Sequence, residues 1–241
     1  NARISDKSYK SYKRFSFFYK KIFKNIDKVF AQSDVDKKRL EELGASNVEV
    51  IGNIKLAQLP SKKLDLEKPK ECVITAASTH ENEEALILNA YEKKQGKLII
   101  VPRHPERFEK VEMLILEYIK NKDITYHKYS AKENFDSDII LIDKMGMLND
   151  IYAISDVVIL GGAFEKIGGH NPIEPAFFSC KIISGKNIFN QKSLFDCIKN
   201  YYLINDDELK NYLDNIKNLD KAILTKAGSI EPIIKEINTW L

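Results

Sequence analysis

The stretch Val157-Val-Ile-Leu-Gly-Gly-Ala-Phe-Glu-Lys-Ile-Gly-Gly-His-Asn-Pro-Ile-Glu174 decides the fold. Val157 to Leu160 is apolar without alternation, the pattern of a strand buried on both faces. The glycine pairs Gly161-Gly162 and Gly168-Gly169 bracket the following loop, where backbone N–H groups can approach a ligand unobstructed by side chains. Asn171 can cap a helix and Pro172 suits its first turn. Strand, glycine loop and helix in that order make one βα unit of a parallel sheet. Free amides and the helix dipole at such a junction favour a phosphate. Glu174, one turn in, can accept hydrogen bonds from sugar hydroxyls. A glycine loop with an acidic first turn is commonly just a turn, but two glycine pairs around one loop favour a ligand.

The same alternation extends to both sides. Strands are expected at Cys72–Ala77, Lys97–Val101, Ile124–Tyr129, Ile139–Ile142, Lys181–Ser184 and Tyr202–Ile204. Helices are expected at Glu81–Lys93, Arg107–Asn121, Met147–Ser155, Pro172–Phe178 and Ser193–Asn200, and from Glu208 to the end. Continuous apolar strands alternating with helices indicate an α/β fold with a parallel sheet covered on both faces. Upstream, Ala57–Lys70 loses all periodicity between Pro60 and Pro69 and reads as a linker. Before it, Ser5–Asn25 reads as one helix, with Ser5 as N-cap and Tyr9, Tyr12, Phe15, Phe18, Tyr19, Ile22, Phe23 and Ile26 at helical spacing. A strand at Lys28–Gln32, a helix at Ser33–Leu43 stopped by Gly44, and a strand at Val48–Ile51 follow. These two short strands are expected to lack partners.

In open parallel sheets, ligands collect at the carboxyl ends of strands. Besides the glycine loop, three strand-to-helix junctions fall there. Ser78-Thr79-His80-Glu81 reads either as a capping box closed by Ser78 and Glu81 or as hydroxyls, amides and an imidazole aimed at a second anion. Pro102-Arg103-His104-Pro105 is stiffened by its prolines, and Arg103 is either an ordinary surface residue or a forked donor to a carbonyl or oxyanion. Lys144-Met145-Gly146-Met147 is either a plain turn or a surface for a nucleotide base.

The 241 residues are 44% hydrophobic and 30% charged, ordinary for a globular protein of one large or two small domains. Cys72, Cys180 and Cys197 are irregularly spaced without a Cys-x-x-Cys pair, which disfavours zinc and fits a reducing compartment. No apolar run is long enough to span a membrane. Net charge is +3, but Lys7, Lys10, Lys13, Arg14, Lys20, Lys21, Lys24 and Lys28 cluster in one segment opposed by Asp6 and Asp27. Ser5 to Lys28 is therefore either a basic helix lying on an anionic membrane or, the commoner arrangement, one that packs its aromatics inward. Its Tyr and Phe residues fall on the apolar stripe, which argues against nucleic-acid stacking.

Taken in order, Asn1-Ala-Arg-Ile-Ser5, Ala31-Gln-Ser33, Gly52-Asn-Ile-Lys55, Ala76-Ala-Ser-Thr-His-Glu81, Val101-Pro-Arg-His-Pro-Glu-Arg107, Ile151-Tyr-Ala153 with Asp156, Gly161-Gly162 and Gly168-Gly-His-Asn-Pro-Ile-Glu-Pro175 span nearly the whole chain. The set resembles the 3-deoxy-octulosonate (Kdo) transferases, GT-B enzymes that use CMP-Kdo. The resemblance implies a GT-B-like architecture of two Rossmann-like domains with a cleft between them. Residues 1–58 would be the end of the acceptor domain, 59–223 the CMP-Kdo-binding domain, and 224–241 a helix crossing back to the first. It implies donor contacts from Ser78, Thr79 and His80 near the phosphate or Kdo carboxylate, and from Pro102 and Arg103 at cytosine. Gly146 and Met147 would lie near the nucleotide, Gly168, Gly169, His170 and Asn171 at phosphate, and Glu174 at the ribose hydroxyls.

The implied reaction is metal-independent, inverting transfer of Kdo to a lipid A precursor at the cytoplasmic face of the inner membrane, without a cofactor. The general base is expected upstream of Asn1, so this chain is expected to supply the donor-binding part alone. The rival readings are a GT-B enzyme or epimerase using a UDP-sugar, and a non-catalytic nucleotide- or protein-binding module.

Overall fold

A computed structural model describes residues 1–56, 60–225 and 228–240. The chain forms two compact units, Asn1–Leu59 with Lys226–Leu241, and Pro60–Thr225.

In the first unit, β1 (Val29–Ala31) and β2 (Val48–Val50) pair in parallel with each other, so the short strands do have partners. Ala2 bridges to Ala31, which sets the Asn1-Ala-Arg motif along the free side of β1. Between the strands runs α3 (Asp34–Glu42), capped by Ser33, whose Oγ accepts the Asp36 N–H at 3.1 Å; Gly44 ends the turn with φ +97°. Asp36 is buried and accepts the Ile4 N–H at 2.9 Å, pinning the start of the chain.

The expected helix over Ser5–Asn25 is two helices, α1 (Asp6–Arg14) and α2 (Ser16–Phe23). They meet at Phe15, whose N–H is shared between the Ser11 and Tyr12 carbonyls at 3.3 and 3.2 Å. Its aromatics divide between two faces. Tyr9, Tyr12, Tyr19, Phe23 and Ile26 pack on a core of Ile4, Val29, Ala31, Leu40, Leu43 and Val48. Phe15, Phe17, Phe18 and Ile22 are exposed, contrary to the inward packing favoured for Phe15, Phe18 and Ile22.

Within the same unit, α11 (Glu231–Ile237) returns to the early segment, with Glu236 3.1 Å from Lys28 and the Ser229 N–H donated to Ile51 O at 3.2 Å. Among the described residues, no helix is long and apolar enough to cross a membrane.

The second unit is built on a sheet of β3 (Val73–Thr79), β4 (Lys97–Pro102), β5 (Tyr126–Lys128), β6 (Ile139–Leu141), β7 (Val157–Leu160), β8 (Lys181–Gly185) and β10 (Tyr201–Ile204). Its order is β10-β8-β7-β3-β4-β6-β5, all parallel. Alternate residues face opposite cores, which is why the strands carry no polar alternation. Ile74, Leu98, Ile100, Ile139, Leu141 and Val157 meet α4 (Glu83–Ala90), α5 (Phe108–Ile119) and α10 (Leu209–Asp214). Val73, Ile99, Ile140 and Ile142 meet α7 (Leu148–Ile154), and Tyr129 of the short α6 (Tyr129–Lys132) joins them.

The expected linker opens on Ala57–Leu59, outside the described residues. Its later part is anchored, because buried Asp150 accepts the Lys63 and Leu64 N–H groups at 2.6 and 2.9 Å. Two expected helices are cut short by pairing that local sequence does not encode. After α8 (Ile173–Phe177), the segment Ser193–Asn200 contains only α9 (Lys192–Phe195) before β9 (Ile198–Lys199). The stretch from Glu208 is not helical throughout: β11 (Ile223–Leu224) pairs antiparallel with β9, while Lys226, Ala227 and Leu241 lie outside the described residues.

Candidate nucleotide-binding site

From β3 the chain moves to β4 on one side and later returns to lay β7 on the other, so the sheet reverses direction between β3 and β7. Ligand crevices of doubly wound sheets open at that point. The loops after β3, β4 and β7 meet there.

The loop after β3 starts with a bulge. Register against β4 shifts between Ala77 and Thr79, and Ser78 is buried with φ +54°. The extra residue re-aims the chain, as bulges beside functional sites do. It also removes the expected capping box. Glu81 is exposed and ion-paired with Lys110, and α4 starts only at Glu83. Glu83 takes the capping role for a different loop. Its Oε2 accepts the His80 and Gly162 N–H groups at 3.0 and 2.8 Å, and its Oε1 those of Ala163 and Phe164 at 3.2 and 3.1 Å. Burial pushes this carboxyl up, and the Gly162 and His80 amides hold against that push. Glu83 thus ties the β3 and β7 loops together, a role that sequence reading missed.

Close approach of the two loops requires glycine. A Cβ on Gly161 would lie 2.5 Å from Ser78 O and 2.8 Å from Glu83 Oε2. Gly162, at φ +74°, is the wall behind His170; a Cβ there would lie 2.8 Å from the ring's Cδ2. Several amides assigned to a ligand by sequence are already engaged, because Gly169 donates its N–H to Gly162 O at 2.6 Å as well.

His170 meets His80 across the crevice. Their Nε2 atoms are 2.8 Å apart and the rings are near-parallel at 6°. The His104 ring stands edge-on to His80 at 5.6 Å. Burial, then the neighbouring His80, Arg103 and His104 charges, hold His170 down at about 4. Burial with His104, Arg107 and Arg103 lowers His80 too. Glu174 is half-buried; burial raises its carboxyl, while the Asn171 amide at 3.0 Å and the Arg103 charge pull it down. Asn171 also accepts the Ile173 N–H at 3.0 Å, which starts the one-turn α8.

Arg103 is exposed, and its N–H donates to Thr79 O at 3.0 Å, joining the β4 loop to the β3 loop. Buried Glu84 holds the far end of that loop through Arg107 at 2.7 Å. Among the described residues, Thr79 Oγ1, Glu84 Oε1 and Arg107 Nε are buried without a hydrogen-bond partner.

His80, Arg103, His170, Asn171 and Glu174 therefore converge. Ser78, Thr79 and Pro102 are buried beneath them and shape the backbone. Gly146 and Met147 follow β6, on the far side of β4 from β3. Gly146 is exposed, whereas the Met147 side chain packs in the core with Ile140 and Ile151 and its carbonyl accepts the Ile151 N–H at 3.0 Å.

A doubly wound sheet with a glycine-walled crevice at its switch point defines a class, the Rossmann-like nucleotide-binding domains of GT-B glycosyltransferases. A sequence profile of the family described as 3-deoxy-D-manno-octulosonic-acid transferase (kdotransferase) matches residues 1–58. The C-terminal CMP-Kdo binding domain of WaaA from Acinetobacter baumannii aligns in its crystal structure with a TM-score of 0.51 at 30% identity, covering 61% of this chain and 78% of that one. The chain belongs to the Kdo transferase family.

Among curated relatives, the 3-deoxy-D-manno-octulosonic acid transferase of Rickettsia bellii is 34% identical over 252 residues, 89% of this chain and 58% of that protein. A bifunctional glycosyltransferase/methyltransferase of Fusobacterium nucleatum is 41% identical over 202 residues, 77% of this chain. The chain spans 58% and 31% of the length of these two relatives.

Proposed function

We propose that the unit Pro60–Thr225 binds CMP-Kdo and that the chain serves transfer of Kdo to a lipid A precursor. The reading rests on one observation above all, the convergence of His80, Arg103 and the Gly168–Glu174 turn at the switch point, closed by the 2.8 Å His80–His170 contact. The WaaA domain that aligns with this chain is described as CMP-Kdo binding, which supports cytidine over uridine.

In this reading His80, His170 and Asn171 face the phosphate, with the Gly168-Gly169 backbone beside them. Ser78 and Thr79 shape the turn that presents His80. Pro102 and Arg103 lie against cytosine, Gly146 and Met147 offer backbone to the nucleotide, and Glu174 accepts from the ribose hydroxyls. These groups would stabilise the charge gained by the departing phosphate, the term that usually dominates such catalysis. The first unit would be the acceptor side. The acceptor's setting would be the cytoplasmic face of the inner membrane, touched by exposed Phe15, Phe17, Phe18 and Ile22 beside Arg14, Lys21 and Lys24.

Calorimetric titration tests the donor reading. CMP is expected to bind the chain more tightly than UMP or UDP, and Glu174→Ala to weaken CMP by about 1–3 kcal/mol through loss of a partly buried acceptor. Binding of UDP but not CMP would transfer the site to a UDP-sugar enzyme.

A further inference from the structure

The His80–His170 contact limits what the crevice can offer a phosphate. At 2.8 Å the two Nε2 atoms share one hydrogen, so one ring donates and the other accepts. The accepting ring carries its own hydrogen on Nδ1, and neither Nε2 has an N–H free for an oxyanion. The backbone fills the gap only in part, since the Gly162, Ala163, Phe164 and Gly169 amides are engaged within the loops.

We propose that the His80–His170 pair is a proton-gated latch: phosphate binding places one proton on the pair, the rings part, and two Nε2–H donors turn to the ligand. This rests on the donor-site reading above. The added proton comes from solvent and ends on the accepting Nε2, and no covalent bond between heavy atoms changes. Two N–H groups cannot face each other at 2.8 Å, so uptake and opening are one event.

Charges on every neighbouring element bear on the pair. After β4 lie Arg103, His104 and Arg107, the last already paired with Glu84. After β3, Glu81 is paired with Lys110 and Glu83 is held by amides. After β7, Glu165 accepts the Asn82 amide and Glu174 that of Asn171. Burial first, and then the positive groups that act on the two rings, favour their neutral form, and a phosphate opposes the field of those groups. His170 rests against bare Gly162, where a side chain would obstruct the ring.

The test is calorimetry of CMP binding to the full chain at pH 7.5, in two buffers of different ionisation heat. Uptake of between half and one proton per CMP is expected, with Kd rising up to about tenfold per pH unit on the alkaline side. In a His80→Gln, His170→Gln double variant the uptake should vanish. Uptake that persists in the double variant would put the proton on the nucleotide and overturn the latch. Should the variant not fold, nitrogen-15 spectra of the wild-type imidazoles decide, with one ring becoming doubly protonated on CMP addition. CMP binding with no proton exchange and both rings neutral overturns the latch while leaving the donor site standing. Failure of CMP to bind overturns both.

Discussion

Glu83→Gln should damage this domain nearly as much as Glu83→Ala. The carboxylate uses both oxygens, each as a double acceptor, for four backbone amides at 2.8 to 3.2 Å. A glutamine keeps the shape but turns one acceptor into an NH2 group that faces two N–H donors. Each buried donor left without an acceptor costs about 1–3 kcal/mol, so roughly 2–6 kcal/mol is expected for the pair. Alanine orphans all four amides but opens a space that water can enter, which limits its further loss. Amide exchange at Gly162, Ala163 and Phe164 reads this locally. At about 1.4 kcal/mol per factor of ten, protection there should fall at least roughly 30-fold, with β4 and β6 less affected. CMP affinity should fall in parallel, because the same carboxylate sets the His80 loop against the glycine loop. If Glu83→Gln leaves the exchange of these amides within threefold of wild type, Glu83 does not clamp the two loops and the account of the switch point is wrong.

Asp150 gives the contrasting case: one oxygen accepts both the Lys63 and Leu64 amides, so Asp150→Asn should be tolerated, while Asp150→Ala costs about 1–3 kcal/mol in urea unfolding. Gly162→Ala adds a methyl against His170 at a φ of +74°, and should cost about 1–3 kcal/mol of stability and a larger share of CMP affinity. His170, held down at about 4, binds fewer protons folded than unfolded between that value and about 6.5. Stability should therefore fall as pH drops through this window, by on the order of 2 kcal/mol after discounting for its exposed part. His170→Gln should flatten that slope in denaturation followed by circular dichroism.

The parallel strands were legible because burial on both faces writes itself locally. Lys97–Val101, Ile139–Ile142 and Val157–Leu160 contain almost nothing polar, and their observed bounds differ from the expected ones by no more than a residue. The carboxylates after β3 show where legibility stops. Glu81, Glu83 and Glu84 sit in one short acidic run with no local feature to separate them, yet each has a different task. Glu81 pairs with Lys110 in solvent, Glu84 anchors Arg107, and Glu83 caps a loop about eighty residues later in the chain. The capping-box reading chose Glu81 because it assumed that the helix starts directly after Ser78. With the bulge at Ser78 the helix starts at Glu83, four residues later, and the bulge lies where β3 runs between β4 and β7. Short β9 and β11 end two expected helices for the same reason, since each strand exists only as the other's partner. Local sequence therefore picked out the glycines that let the β3 and β7 loops approach, because the need for glycine is met where it arises. It could not show that the Gly162, Ala163 and Phe164 amides were already claimed, because the claimant, Glu83, comes from across the switch point. That same occupancy is why the proposed latch turns to the imidazoles for further donors when an anion arrives.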